Sequence, residues 1–212
     1  MQYVGMPQSW VDFYYEGFEA IIQKFKNHIS HEVVEKSIQK LKEFNPRISH
    51  REMEYSAEYI FTKILEPWHM DVPIQSCLET FWSGLQLKAE IYPDTINVLQ
   101  KLRKKGYAIA ALTDLPSAMH DEIFRRDISK LLSYFDYYVS SSVAGYRKPN
   151  CKGLQMISEK FATPITELIF IGDEEKDRKT AINANCKFIW IQRTEKNEEC
   201  IDNLYELFDV LE

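Results

Sequence analysis

The sequence predicts an α/β fold: a doubly wound parallel sheet joined to a compact bundle of helices. Two observations predict it. Residues from about 9 to 86 carry apolar side chains at helical spacing, while from about 87 onward short apolar runs alternate with amphipathic stretches. A third is size: 212 residues, 45% of them hydrophobic, suffice for one good core and a small second unit.

In the first part, Trp10 to Ile29 places Val11, Tyr14, Tyr15, Phe18, Ile21, Ile22 and Phe25 on one helical face. Ser30 can cap a second helix with Val33, Val34, Ile38 and Leu41 as its stripe, and Asn45-Pro46 stops it. Ser49 can cap a third, with Met53, Ala57, Ile60, Phe61, Ile64 and Leu65 turned inward, ending at Glu66-Pro67. A fourth is expected from about Pro73 to Trp82. Short turns between four helices suggest a bundle.

The second part opens with an amphipathic helix, Thr95 to Lys105, closed by Gly106. Strands are expected at 107–112, 137–140, 168–171 and 187–191. Helices are expected at about 117–126, 151–161, 176–185 and 200–211. This alternation implies parallel strands with crossover helices.

Composition excludes several classes. The net charge is -6 and no basic block stands out, which argues against nucleic acid. Lys101–Lys105 and Arg125–Arg126 read as solvated helix faces. No apolar run reaches the ~20 residues of a membrane span, and Met1 to Met6 lacks the flanks of a signal peptide. Cys77, Cys151, Cys186 and Cys200 are scattered, as in a reduced cytoplasmic protein. His28 and His31 do not form a zinc spacing with other ligands.

In a doubly wound sheet, ligands bind beyond the carboxyl ends of the strands. Three tips therefore matter. Thr113-Asp114 follows the first strand of the alternating part, and the Thr113 hydroxyl can donate to a phosphate oxygen, although the pair also suits a plain turn. Gly145-Tyr146-Arg147-Lys148-Pro149 follows the second; Pro149 keeps Lys148 out of helical geometry, and its ammonium can neutralise a phosphate or a carboxylate. Gly172-Asp173-Glu174-Glu175-Lys176-Asp177 follows the third. Asp173 at the tip and Asp177 at the next helix start can hold a hard cation, or Asp177 can simply cap the helix.

These tips, in this order, resemble motifs II, III and IV of the haloacid-dehalogenase-like (HAD) phosphohydrolase superfamily. Ile91-Tyr92-Pro93-Asp94 is similar to the family's return from cap to core. The resemblance covers essentially the whole chain. It implies a Rossmann-like core from residues 1–8 plus 87–212, with an inserted α-helical cap at 9–86, as in the phosphatase-like members. It also implies a Mg²⁺-dependent mechanism in which a first-motif Asp attacks phosphorus and a second Asp protonates the leaving group. By that resemblance Thr113 and Lys148 bind phosphate, Asp173 and Asp177 serve Mg²⁺, and the substrate is a small phosphorylated metabolite.

The first motif departs from the family. Tyr3-Val4-Gly5-Met6-Pro7-Gln8 is the matching stretch, and it puts Val4 at the nucleophile position and Met6 at the acid position. Valine cannot form an acyl phosphate and methionine cannot donate a proton. Losing the nucleophile also removes a metal ligand, so Mg²⁺ binding should weaken. Asp12 is expected on the first helix, away from the chemistry.

Three functions follow as expectations. One is a phosphatase rescued by another acid or by a first motif encoded upstream of Met1. Another is a non-catalytic relative that binds a phosphorylated metabolite, an anion or a partner. The last is an interaction protein with Tyr14, Tyr15 and Trp68 as an apolar patch.

Overall fold

The computed structural model describes residues 1–4, 13–26, 28–69, 71–193 and 200–211. Met6 and Asp12, and with them the acid position of the first motif, lie outside the described residues. In chain order the elements are β1 (Gln2–Val4), α1 (Tyr14–Phe25), α2 (His31–Glu43), α3 (Ala57–Leu65), α4 (Ile74–Gly84), β2 (Lys88–Glu90) and α5 (Thr95–Lys104). They continue with β3 (Ala110–Thr113), α6 (Asp121–Asp127), α7 (Ser129–Leu132), β4 (Tyr137–Ser140), α8 (Ser141–Ala144) and α9 (Lys152–Phe161). The last are β5 (Ile169–Gly172), α10 (Glu175–Ala184), β6 (Lys187–Ile191), β7 (Cys200–Ile201) and α11 (Leu207–Leu211).

The chain divides into two units, and the division departs from the expected one. The first comprises Met1–Arg51, Tyr55–Glu90 and Leu115–Ile128. The second comprises Glu52–Glu54, Ile91–Asp114 and Ser129–Glu212.

The first unit is a helical bundle around Phe18, Phe61 and Phe81, all fully buried. Phe81 stacks edge-on against Phe18 and Phe61, with ring centroids 5.1 and 5.3 Å apart. Helices α1 and α4 approach closely because glycine leaves room: a Cβ on Gly17 would meet the Phe81 ring at 2.5 Å. Tyr14 and Trp68 are core residues here, not a surface patch: they are buried, and the Trp68 indole donates to Ser37 Oγ at 2.7 Å. Tyr15 is tied to His31 Nε2 at 2.8 Å and to Glu35.

Within and around the first unit, several segments differ from the sequence expectation. Helix α3 begins at Ala57 instead of following Ser49, and Ser56 is its cap, accepting from the Tyr59 N–H at 3.1 Å. The expected inward residue Met53 is exposed, because Glu52–Glu54 is drawn out as extended chain against Gly145–Arg147 in the second unit. Residues 115–128 join the helical unit: Trp82 Nε1 donates to Ala118 O at 2.7 Å, and Ser117 Oγ to Phe44 O at 2.8 Å. Val4 lies in β1, which pairs antiparallel with β2 (Val4 opposite Lys88) inside the helical unit instead of entering the parallel sheet.

The second unit has the doubly wound α/β core. Strands β3 and β4 are parallel, as are β5, β6 and β7. Successive residues of a strand face opposite ways. Ile171, Ile189 and Ile191 thus join Val98 and Leu102 of α5 and Leu207 of α11 in one cluster. Leu112, Val139 and Phe170 join Leu154 and Ile157 of α9 and Ala184 of α10 in another. Among the described residues the two sheets are not hydrogen-bonded to each other. The expected helix at 200–211 is interrupted: Cys200 and Ile201 pair with Trp190 and Ile191, burying Ile201, and α11 starts only at Leu207. Asp94 clamps this end, taking two bonds from Arg193 (2.9 and 3.1 Å) and one from the Leu204 N–H at 2.8 Å.

Candidate functional site

Three of the expected loop tips meet within the second unit. Asp114, the residue after β3, sits on both other tips. Its Oδ1 accepts from the Lys148 backbone N–H at 3.1 Å, and its Oδ2 lies 3.3 Å from Lys176 Nζ. Across the cluster Lys148 Nζ is 2.6 Å from Asp177 Oδ1. The strand ends that carry these loops are the carboxyl ends of parallel strands, where the fold leaves backbone groups and side chains open to a ligand.

Lys148 is a buried ammonium, with 11% of its side chain exposed. The peptide bond to Pro149 is cis, and α9 starts only at Lys152, whose N–H is taken by Asn150 Oδ1 at 2.9 Å. Pro149 therefore lies ahead of the helix, not in its first turn. Burial by itself would push the ammonium's pKa down. The charges of Asp114 and Asp177, the bond to Asp177 and the charge of Glu174 outweigh it, so the pKa is raised. The next residue back, Arg147, is also buried and ion-paired with Glu54; its backbone N–H donates to Glu52 O at 2.7 Å.

Asp177 is buried at the start of α10. Its Oδ2 accepts from the backbone N–H groups of Asp173 (3.2 Å) and Glu174 (3.0 Å). These are donors that a helix start leaves without intrahelical partners. Gly172 makes this possible: a Cβ there would stand 2.4 Å from the Asp177 Cβ. The glycine is needed for close approach, not for a turn. Thr113 ends β3 beside Asp114 and is half-buried; the contact of its hydroxyl with Asp114 O is long, at 3.5 Å. Asp173 is exposed. So Lys148 and Asp177 touch, Thr113 stands at the same strand end as Asp114, the partner of the Lys148 N–H, Asp173 is exposed, and Val4 belongs to the other unit.

Two residues that sequence reasoning did not single out complete the cluster. Asp114 reads as a turn residue before Leu115-Pro116, and Lys176 as one residue of the Gly172–Asp177 stretch with no role of its own. Lys176 Nζ is 2.6 Å from Glu174 Oε2 as well as 3.3 Å from Asp114 Oδ2. Only the crowding of acids around Lys176 in the sequence hinted at its partners.

The Mg²⁺ ion implied by the family resemblance does not fit this arrangement. Mg²⁺ demands near-octahedral oxygen ligands at about 2.0–2.1 Å. Asp177 spends one oxygen on two N–H groups and the other on Lys148. Asp114 and Glu174 hold Lys176. Among the described residues no three His, Cys, Asp or Glu side chains are placed to share an ion.

A sequence model described as haloacid dehalogenase-like hydrolase matches residues 13–191. The phosphoglycolate phosphatase of Vibrio parahaemolyticus serotype O3:K6 (strain RIMD 2210633) is 30% identical over 104 residues, 49% of this chain and 44% of that protein. The chain thus covers less than half the length of this curated relative. The 2-haloacid dehalogenase from Pseudomonas syringae pv. Tomato DC3000 superposes with a TM-score of 0.65 at 16% identity, covering 95% of this chain and 90% of the other. A HAD phosphatase from Thermococcus onnurineus gives a TM-score of 0.60 at 20% identity over 95% and 90%. At those identities the two structures speak to fold, while the family model spans most of the chain. The chain belongs to the haloacid dehalogenase-like hydrolase family.

Proposed function

We propose that this chain binds a small phosphorylated metabolite through Thr113 and Lys148 and does not turn it over. The observation that carries the reading is the buried Lys148, its backbone N–H held by Asp114 and its ammonium by Asp177 where three loop tips meet. An ammonium keeps donors in hand after one carboxylate contact and can give them to a phosphoryl oxygen, with the Thr113 hydroxyl alongside. Turnover is set aside because Val4 and Met6 stand where the family pattern has its nucleophile and its acid. Asp173 is the acid still open to a cation, so any Mg²⁺ site built on Asp173 and Asp177 is a weak one.

Charge limits the affinity. Asp114, Glu174 and Asp177 against Lys148 and Lys176 leave the cluster one negative charge in excess. A singly charged phosphate ester is therefore favoured over the doubly charged form, and binding tightens as pH falls toward about 6, where that second ionisation lies. The free thiols of Cys77, Cys151 and Cys186 suit a reducing, cytoplasmic setting for this function. No described helix is long and apolar enough to cross a membrane.

The test is a thermal melt with phosphoglycolate, the ester in the relatives' name, and with a panel of other small esters. A ligand that binds only the native state raises the melting temperature. The expected result is a rise for wild type, its loss in Lys148→Met, and no release of inorganic phosphate. No rise with any ester sinks the binding reading. The family match favours a second reading, hydrolysis with an acid from elsewhere; Mg²⁺-dependent phosphate release would establish it in place of the first.

A further inference from the structure

We propose that Glu54 is a positioning residue for Lys148: by holding Arg147 it sets where the Lys148 ammonium stands at the loop tips. The consequence for phosphate rests on the reading that Lys148 binds a phosphorylated ligand; the placement of Lys148 itself does not.

Lys148 lies inside a tight turn. The Asn150 N–H donates to Arg147 O at 3.0 Å and closes residues 147–150, with Lys148 second among them. Both ends of that turn are tied to Glu52–Glu54. At the first end the Arg147 N–H donates to Glu52 O at 2.7 Å, and the Arg147 guanidinium is ion-paired with the Glu54 carboxylate. Just before the turn, the Glu54 N–H donates to Gly145 O at 3.0 Å. At the last end Asn150 Nδ2 donates to Glu52 Oε2 at 3.1 Å. A turn gripped at both ends leaves its inner residues little freedom, and Asp114 takes the Lys148 N–H as well.

The buried pair carries most of the direction. The side chains of Arg147 and Glu54 are 5% and 7% exposed. Taking two charges out of water costs nearly as much as their attraction returns, and replacing such a pair by apolar residues is often neutral for stability. What the ion pair adds is geometry, because a guanidinium meets a carboxylate in a narrow set of arrangements. Apolar burial does not hold the segment, since Met53 between the two glutamates is 56% exposed. The charges that act on Lys148 directly are those of Asp114, Asp177 and Glu174. Glu54 therefore works through Arg147, the neighbour of Lys148 in the chain.

Glu52–Glu54 lies between α2 and α3 in sequence, yet it belongs to the second unit. The stretch expected to be all cap thus supplies the residue that aims the ammonium of the α/β unit. Changes at Glu54 alter the grip on phosphate without touching Thr113, Lys148 or any loop tip.

The experiment follows the side-chain ¹³Cε–¹⁵Nζ signal of Lys148, assigned by its loss in Lys148→Met, and the Kd for inorganic phosphate, both well below the melting temperature. Wild type is compared with Glu54→Gln, with Glu54→Asp, and with the double variant Glu54→Met plus Arg147→Met, which keeps a buried pair without charge. Glu54→Gln and the double variant are expected to move the Lys148 signal and to weaken phosphate binding by about tenfold, the cost of one misplaced charge-assisted hydrogen bond. The double variant does so with a melting temperature close to that of wild type. Glu54→Asp, which keeps the carboxylate, restores the greater part of both readouts. A folded double variant that keeps either the wild-type signal or the wild-type Kd overturns the proposal, and so does a Glu54→Asp no better than Glu54→Gln. Should Glu54→Gln fail to fold, the double variant decides, since it leaves no charge of the pair buried alone. Wild type that binds no inorganic phosphate counts against the phosphate reading, and the Lys148 signal then decides the role of Glu54 by itself.

Discussion

Lys148 and Asp177 form a buried ion pair at the candidate site, and their energetics follow from that burial. Removing one partner of a buried pair leaves the other charged and unsolvated, at about 3 kcal/mol or more. Lys148→Met is thus expected to lower stability by about 3 kcal/mol at neutral pH. The pH dependence has a definite sign. The folded-state pKa of Lys148 is raised above the ordinary lysine value of 10.5, so its stabilisation is complete below that value. It is lost as pH rises past 10.5 through the folded pKa. Denaturant melts of wild type and Lys148→Met should therefore differ most at neutral pH and converge in strong alkali. A constant difference across that range would show that the lysine acts through packing of its stem alone.

Elements here are fixed as much by side-chain anchors as by propensity. The start of α3 illustrates it: both Ser49 and Ser56 can cap, and the pairing of Glu52–Glu54 with Gly145–Arg147 leaves only Ser56 at a helix start. Asp94 anchors the other end of the second unit, holding Arg193 and the Leu204 N–H beside α5. Burial pushes the Asp94 pKa up, but the Arg193 bonds and the Leu204 N–H outweigh it, so the value falls below 3.8. Its contribution is present above pH 3.8 and lost as pH drops through the depressed value. Asp94→Asn should cost about 2 kcal/mol at neutral pH, the worth of buried hydrogen bonds to a charged group. Hydrogen exchange should show that loss first at Ile201 and Leu207, with little difference from wild type in strong acid. Equal protection in both proteins at neutral pH would remove Asp94 as the anchor.

At the scale of the whole molecule, two units have separate cores. Phe81 is fully buried among Phe18, Phe61 and Trp82 in the helical unit. Phe81→Ala should destabilise by about 3–5 kcal/mol. Because the loss falls on one core, hydrogen exchange should rise in α1, α3 and α4 while β5 and β6 keep their protection, provided the units open independently. Uniform loss across both units would mean that they unfold as one.

Periodicity alone determined that this chain has a helical part and a doubly wound part, because amphipathic spacing records which face of each element is buried. It also located the tips at Thr113 and Gly172-Asp173, since a strand end can be read from where an apolar run stops, whereas Lys148 stands beyond α8, which follows β4 directly. Tertiary structure decided the rest. It drew Glu52–Glu54 into the second unit, assigned residues 115–128 to the first, and paired Val4 with Lys88. It also turned Asp177 onto backbone N–H groups and gave Asp114 and Glu174 to Lys176. These are pairings between groups far apart in the chain, or between charges with several partners in reach. A local pattern shows what each residue can bond to, and only the folded geometry selects which partner stands within 3 Å or so.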